Sequence, residues 1–286
     1  GADELSLYGR FDFILAKDGT PKILEFNADT PTSLLEASVI QWQWKEDVFP
    51  ECDQFNGIHE GLVQSWKDIF PKKGEIHFAG ALENNEDTGT LQYLASTAME
   101  AGFSTRVLDM QALDLQNGRF FDPAGELVNR CFKLYPWEWM VDESPDGCLA
   151  EMEWLEPIWK LVMSNKAILA TLYELFPDSP YVLPCYLSRP RSGLFCKKPV
   201  FSREGHNVSV VDIRDWEEYV RIAETEGDYN TGAYVYQEYV EPTVYSGRYP
   251  VIGSWIIGGE AAGIGIRENR MEVTDNLSEF VPHIIG

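Results

Sequence analysis

Apolar and polar residues alternate in two short runs near the start of the chain. In RFDFILA (residues 10–16) and KILEFNA (22–28), positions two apart share one face of an extended strand, and Asp18-Gly19 between the runs is a tight-turn dipeptide. The pattern predicts a hairpin. Arg10, Asp12 and Ile14 fall on one face with Ile23, Glu25 and Asn27, while Phe11, Phe13, Leu15, Leu24 and Phe26 fall on the other.

Over residues 33–45 and 57–70 the spacing of apolar residues becomes helical, with Trp42, Trp44 and Trp66 as anchors and Pro71 as a stop. From residue 75 the order is strand (EIHFAGAL), helix (TGTLQYLASTAMEAG) and strand (FSTRVLDM), a βαβ unit that calls for a parallel pair with a right-handed crossover. Residues 116–129 read as a hairpin-like excursion, LYPWEWM as an aromatic core segment and 142–148 as loop. Residues 157–177 are helix-rich, 193–212 form two strands around a polar glycine-containing loop, 215–227 pattern as an amphipathic helix, and 233–240 as a strand. Residues 249–276 alternate strands with glycine-containing turns, as an antiparallel sheet does.

Composition narrows the function classes. The chain has 286 residues, 44% hydrophobic and 24% charged, which is globular composition with enough length for one or two cores. Its 46 acids against 23 bases give a net charge of −23, which argues against nucleic acid as a partner; the excess fits either simple solubility or a cationic partner. No run of apolar residues is long enough for a membrane span, and residues 1–13 lack the basic and apolar regions of an export signal, so no membrane partner is expected. Cys52, Cys131, Cys148, Cys185 and Cys196 are odd in number and contain no C-x-x-C, so neither a disulfide framework nor a zinc site is suggested and a cytoplasmic location fits.

The polar face of the hairpin carries the candidate chemistry. Asp12, Glu25 and Asn27 are hard oxygen donors, and one or two carboxylates completed by nucleotide phosphates are a common way to hold Mg²⁺. Arg10 beside them would meet an anion. A half-exposed hairpin with a solvated ion pair is the alternative that the hairpin alone leaves open.

Three later stretches change that balance. SNKAIL with Lys166, KKPVFSREGHN with Lys198 and Arg203, and GIGIRENR with Arg267 follow the hairpin in an order and spacing that resemble the glutathionylspermidine synthase family, from about residue 8 to 283. The resemblance is to its shorter members, which lack the amidase domain. It implies an α+β chain with the ATP-grasp fold and a Rossmann-like (pre-ATP-grasp) βαβ substrate domain. The expected division is residues 1–58 as the first part of the catalytic core, 59–130 as the Rossmann-like unit, and 131–286 as the nucleotide-binding lobes with a lid at 195–210.

By the same resemblance, Asp12, Glu25 and Asn27 match metal-binding positions, and Arg10 and Arg267 match arginines at the reacting carboxylate and phosphoryl group. Lys166 and Lys198 match nucleotide lysines, Gly205 lies in the lid, and Gln237, Glu238 and Tyr239 lie where a linker strand meets adenine. Thr30, Thr32 and Arg203 match the peptide-acid side, and Glu86 with Asp87 matches an acidic pair on the polyamine side. ATP and Mg²⁺ are the implied cofactors. Small molecules, a peptide-like carboxylate and a polyamine-like amine, are the implied partners. Two lysines, two arginines and Mg²⁺ around a triphosphate are also the inventory that phosphoryl transfer needs.

Each residue has a plainer reading. Lys166 could be a solvated helix lysine, Lys198 an edge lysine, Arg267 the partner of Glu268, Gln237 and Glu238 ordinary strand residues, and Glu86 and Asp87 solvated loop acids. Their joint occurrence carries the functional reading; His206 and His283 are given no role. Leu134 departs from the family pattern, since a hydroxyl is expected there if glutathione binds in the family's way, and a leucine cannot donate that hydrogen bond. A further stretch ahead of the hairpin is expected from the resemblance. The readings that follow are an ATP- and Mg²⁺-dependent carboxylate–amine ligase acting through an acyl phosphate, or an ATP-binding protein of the same fold without ligase activity. A carboxylate metal hydrolase is poorer, because no histidine or nucleophile neighbours the acids.

Overall fold

A computed structural model describes residues 6–203, 205–215, 218–227, 229, 232–270 and 278–286. The opening hairpin forms as β1 (Tyr8–Leu15) and β2 (Pro21–Asn27), turning through Gly19 at φ +81°. The register pairs Arg10 with Asn27, Phe11 with Phe26 and Asp12 with Glu25, and Phe11 stacks on Phe26 with ring centroids 4.1 Å apart. A bulge then intervenes: Phe13 pairs with Ile23, so Leu24 is the extra residue. The bulge corrects the expected faces. Ile23 packs against the Leu169–Cys185–Val235 cluster, and Leu24 lines the cleft described below.

Helical spacing holds where expected, as a π-turn at Glu36–Ile40 leading into α1 (Gln41–Val48), and as α2 (Ile58–Ile69), whose Ile58, Leu62, Val63 and Trp66 are buried. The βαβ unit consists of β3 (Glu75–Gly80), α3 (Asn85–Glu100) and β4 (Ser104–Asp109), with the strands parallel. The Asn84 side chain caps α3 by accepting from the Glu86 amide at 2.9 Å. The excursion is three short antiparallel strands, β5 (Asp114–Gln116), β6 (Arg119–Phe121) and β7 (Leu127–Val128). Beyond it, β8 (Arg130–Leu134) and β9 (Glu153–Leu155) complete a four-stranded parallel sheet in the order β4-β3-β8-β9.

Two expectations in this half are revised. Residues 142–148 are not loop: they hold the end of α4 (Trp137–Glu143) and a one-turn α5 (Pro145–Cys148), started by a proline whose fixed φ suits a first helical turn. In the aromatic segment, Trp137 and Met140 are buried but Trp139 faces outward. The helix-rich stretch is broken in two, α6 (Lys160–Ser164) and α7 (Ile168–Leu175), with Asn165 extended between them.

The remaining strands are β10 (Cys185–Tyr186), β11 (Gly193–Pro199), β12 (Ser209–Ile213), β13 (Tyr219–Glu224) and β14 (Tyr234–Glu238), in the antiparallel order β10-β14-β11-β12-β13. The helix expected over 215–227 is instead β13 over its described part. Tyr219, Val220 and Ile222 suit a strand, and pairing to β12 supplies the backbone partners that decide between the two patterns. Finally β15 (Tyr249–Ile257), β16 (Glu260–Asn269) and β17 (Glu279–Val281) join the hairpin in the order β17-β16-β15-β1-β2; residues 271–276 of the expected tail sheet lie outside the described residues. Among the described residues no helix is long and apolar enough to cross a membrane.

One core joins the hairpin sheet to the parallel sheet: Tyr8, Trp255 and Ile257 meet Trp66, Phe78, Leu91, Phe132 and Leu134. Packing is tight at Gly80, where a Cβ would stand 2.8 Å from Leu91 Cδ1 and 3.0 Å from the Leu134 carbonyl oxygen. Gly80→Ala is therefore expected to cost about 1–3 kcal/mol by overpacking, read from the urea unfolding midpoint. A second expectation concerns acid. The Phe55 amide donates to His283 Nε2 at 3.2 Å, which only the neutral ring can accept, and burial holds His283 below its ordinary 6.5. His77 is lowered too, by burial and then by Arg106 against the pull of Glu75 and Asp122. A depressed folded pKa means that the unfolded chain takes the proton first, so this stability is complete above about pH 6.5 and is lost as pH falls. The thermal midpoint should drop between about pH 7 and pH 5, and less steeply in His283→Gln.

Candidate functional site

The hairpin presents its polar face to an open cleft. Thirteen of the sixteen residues singled out in the sequence line this cleft: Arg10, Glu25, Asn27, Thr30, Thr32, Lys166, Lys198, Arg203, Gly205, Gln237, Glu238, Tyr239 and Arg267. Asp12 lies just beneath the lining, bonded to three of them. Glu86 and Asp87 do not line it; they occupy the first turn of α3.

Asp12 is 2% exposed and organises the floor. Arg10 donates to it from Nε at 2.6 Å and Nη2 at 3.0 Å, Asn27 Nδ2 at 3.1 Å, and Arg267 Nη2 at 2.7 Å. Arg267 is on β16, two strands from β1, and glycine makes the reach possible. Gly253 of β15 faces Asp12 in register, and a Cβ there would meet Arg10 Cδ at 2.7 Å, so the Arg10 side chain lies across a strand position that has no side chain of its own. Against burial, Asp12 raises the Arg10 pKa, while burial and then Arg10 lower that of Arg267. Arg10 also donates from Nη1 to the Thr32 carbonyl.

The lysines come from the other side of the cleft. The break between α6 and α7 places Lys166, whose amide donates to the Val200 carbonyl at 2.9 Å and whose Nζ lies 3.0 Å from Glu25 Oε2 and 2.7 Å from the Ser202 carbonyl. Lys198, on β11, donates to Gln237 Oε1 at 2.7 Å and to the Leu24 carbonyl at 3.1 Å. Burial alone would raise the Glu25 carboxyl, but Lys166 and then Lys198 hold it down at about 2. It is therefore an anion throughout the physiological range.

Arg203, in the loop between β11 and β12, donates to Thr30 Oγ1 at 2.5 Å and to Glu138 Oε1 at 2.6 Å. Gly205, at φ +69°, turns the same loop along the cleft. At the far end the amides of Glu238 and Tyr239 already donate to the Pro184 and Leu194 carbonyls, at 2.7 and 2.9 Å. What this strand edge offers a ligand is therefore carbonyl lone pairs and side chains.

Four cations, Arg10, Lys166, Lys198 and Arg267, thus share the cleft with three carboxylates, Asp12, Glu25 and Glu238, while Arg203 is matched by Glu138. In a chain of net charge −23 this is a local positive excess suited to a polyanion. The donor set also fits a hard cation. Asn27 stands between Asp12 Oδ2 and Glu25 Oε1, at 3.1 and 3.4 Å, so two carboxylates and an amide oxygen could meet at one point once the amide turns. Among the described residues no three His, Cys, Asp or Glu side chains converge, so the rest of such a cation's shell would come from its ligand.

Two kinds of residue at the site escaped the sequence reading. Leu24, Leu183, Val208, Val240 and Val251 join Ile14, which alternation does place on this face, in an apolar wall contributed by separate elements. Glu138, which holds Arg203 from behind the lining, was passed over inside PWEW; a lone acid among tryptophans was the available signal.

Comparison with known proteins agrees with this picture. A solved glutathione-synthetase-like effector from Globodera pallida superposes over 99% of this chain and 77% of its own, with a TM-score of 0.60 at 10% identity. The architecture is thus a mixed α/β one close to glutathione-synthetase-like structures. Over residues 1–286 the chain matches the family described as glutathionylspermidine synthase preATP-grasp, and it belongs to that family. A Haemophilus influenzae protein with the provisional name acid–amine ligase is 39% identical, over 97% of this chain and 74% of its own. The trypanothione synthetase of Crithidia fasciculata is 28% identical over 95% of this chain, which spans 46% of that protein's length.

The buried Arg10–Asp12–Arg267 cluster makes a prediction that needs no ligand. Asp12→Ala strands two guanidinium groups without their counter-ion, and should cost about 3–5 kcal/mol in urea unfolding.

Proposed function

We propose that the protein is an ATP-dependent C–N ligase that uses Mg²⁺ and joins a peptide-like acid to an amine, possessing the ATP-grasp fold. Membership of the family and ligase names among its relatives support this class of activity. The single observation that supports the mechanism is the meeting in one cleft of thirteen residues from separate stretches of the chain. In this reading residues 1–58 begin the catalytic core, 59–130 form the Rossmann-like unit, and 131–286 supply the nucleotide lobes with a lid at 195–210.

The adenine end of ATP lies along Gln237, Glu238 and Tyr239, against the apolar wall. Lys166 and Lys198 hold the phosphates, and Arg10 and Arg267 exchange part of their pairing with Asp12 for the transferring phosphoryl group. Glu25, Asn27 and Asp12 would hold Mg²⁺, which supplies charge neutralisation at the triphosphate. Thr30, Thr32 and Arg203 hold the acid so that its carboxylate oxygen attacks the γ-phosphorus and ADP leaves. The amine nitrogen then attacks the acyl carbon, phosphate departs and the nitrogen loses a proton. The loop around Gly205 excludes water from the acyl phosphate.

The acid is a glutathione-like peptide and the amine polyamine-like, with Glu86 and Asp87 as the acidic pair that receives its ammonium groups. Leu134 is 7% exposed and packs in the core rather than lining the cleft, so the acid is held without a hydroxyl at that position. All five cysteines are free, which suits work in a reducing cytoplasm.

The test uses the full polypeptide with ATP, Mg²⁺ and a panel of acids and amines that includes glutathione and spermidine. ADP and the new amide are followed by mass. ADP release should need both partners, and Lys198→Met should weaken ATP use by roughly tenfold or more, as loss of a charged contact does. If ATP binds but no pair stimulates ADP release, the ligase reading fails and the binding-only reading stands.

A further inference from the structure

Outside the cleft, two buried ion pairs bracket the open end of the hairpin. Lys133, on β8, has a fully buried side chain; its Nζ lies 2.6 Å from Asp29 Oδ1 and donates to the Tyr135 carbonyl at 2.9 Å. The other oxygen of Asp29 accepts from the Trp137 amide at 2.9 Å, and the Lys133 ammonium stands 4.5 Å from the centre of the Trp137 ring. In the second pair, Glu156 and Lys160 approach to 3.3 Å. Glu156 Oε1 accepts from the amides of Leu7 and Tyr8 at 3.0 and 3.1 Å, and Lys160 donates to the carbonyls of Tyr8 and Ala28 at 2.7 and 3.0 Å.

The anchored atoms sit beside the polar floor in sequence. Leu7 and Tyr8 lead directly to Arg10, and Ala28 and Asp29 follow Asn27. Thr30, which receives Arg203, and Thr32, whose carbonyl receives Arg10, continue from Asp29. Lys133, Glu156 and Lys160 arise from a stretch, residues 133–160, that contributes none of its side chains to the cleft lining. Such buried pairs are poor devices for stability, because apolar residues of similar size fill the same space at no greater cost. They are good devices for direction and distance, since an ion pair tolerates only a narrow geometry.

We propose that Asp29 and Lys133 are positioning residues. With Glu156 and Lys160 as a second clamp, they set the hairpin end that carries Arg10, Asn27 and Thr30, and so the terminal-phosphate end of the cleft rather than its adenine end. This rests on the nucleotide reading above.

The test compares binding of ADP and of β,γ-imido-ATP, both with Mg²⁺, in the wild type, in Asp29→Asn and Lys133→Met singly, and in the double variant, alongside thermal midpoints. Single changes strand a buried charge and lower the midpoint. The double variant leaves no unpaired charge, and the amide oxygen that replaces the Asp29 carboxylate still accepts from the Trp137 amide, so the midpoint returns toward wild type. The expected result is that ADP affinity is kept in the double variant, while the preference for the imido analogue over ADP falls by about tenfold or more, as a small misplacement at a reacting centre does. Recovery of midpoint and preference together would overturn the proposal, as would an equal loss of both nucleotides. A wild type that binds neither nucleotide removes the nucleotide reading and this inference with it. Should the double variant not fold, Glu156→Gln with Lys160→Met reads the same ratio from the second clamp.

Discussion

The Asp12 carboxylate collects donors from three strands at once: Arg10 on β1, Asn27 on β2 and Arg267 on β16. Taking a carboxylate and two guanidinium groups out of water costs several kcal/mol per ion, and the cost is offset only while every donor keeps its geometry. The cluster therefore ties these strands together through side chains as well as through backbone pairing. Gly253 is part of the same solution, since any side chain there would displace Arg10. The cluster itself is cationic, because two guanidinium groups share one carboxylate.

The second sheet meets this floor through side chain to backbone bonds as well as through the packing of Ile23 on the Leu169–Cys185–Val235 cluster. Lys198 and Gln237 both donate to carbonyls of β2, and Gln237 is itself held by Lys198. The apolar wall then rises above them from residues that are far apart in sequence. The cleft thus lies between the two sheets, both of which contribute to its apolar wall, with the hairpin residues Arg10, Asn27 and Thr30 and the β14 residues Gln237 and Glu238 among its lining.

Much of this could be read from the sequence because it is local. Alternation placed β1, β2, β14, β15 and β16, Asp18-Gly19 placed the turn, and a change from alternation to helical spacing found the βαβ unit. Local pattern failed where a neighbour decided. Residues 219–224 carry a helical stripe but pair with β12, and the bulge at Asp12 and Phe13 exchanges the faces of Ile23 and Leu24 without any sign in the residues themselves. For the site, resemblance gathered residues that no periodicity connects: Arg267 lies 255 positions from the Asp12 it bonds. It missed Glu138, whose meaning comes from Arg203 across 65 positions, and Lys133 and Lys160, which look like surface lysines until their burial is seen.

The hairpin's outer strand is also the margin of its sheet. Among the described residues β2 has no strand on its far side, yet the Ile23 amide donates to the Tyr181 carbonyl, the Ile23 and Leu24 carbonyls receive Gln237 and Lys198, and Lys22 reaches the Pro180 carbonyl. The groups that furnish the cleft wall thus blunt an edge that would otherwise recruit a stray strand from another molecule. Edge protection and cleft lining then share the same few side chains, and a chain that drifts at Lys198 or Gln237 risks clumping.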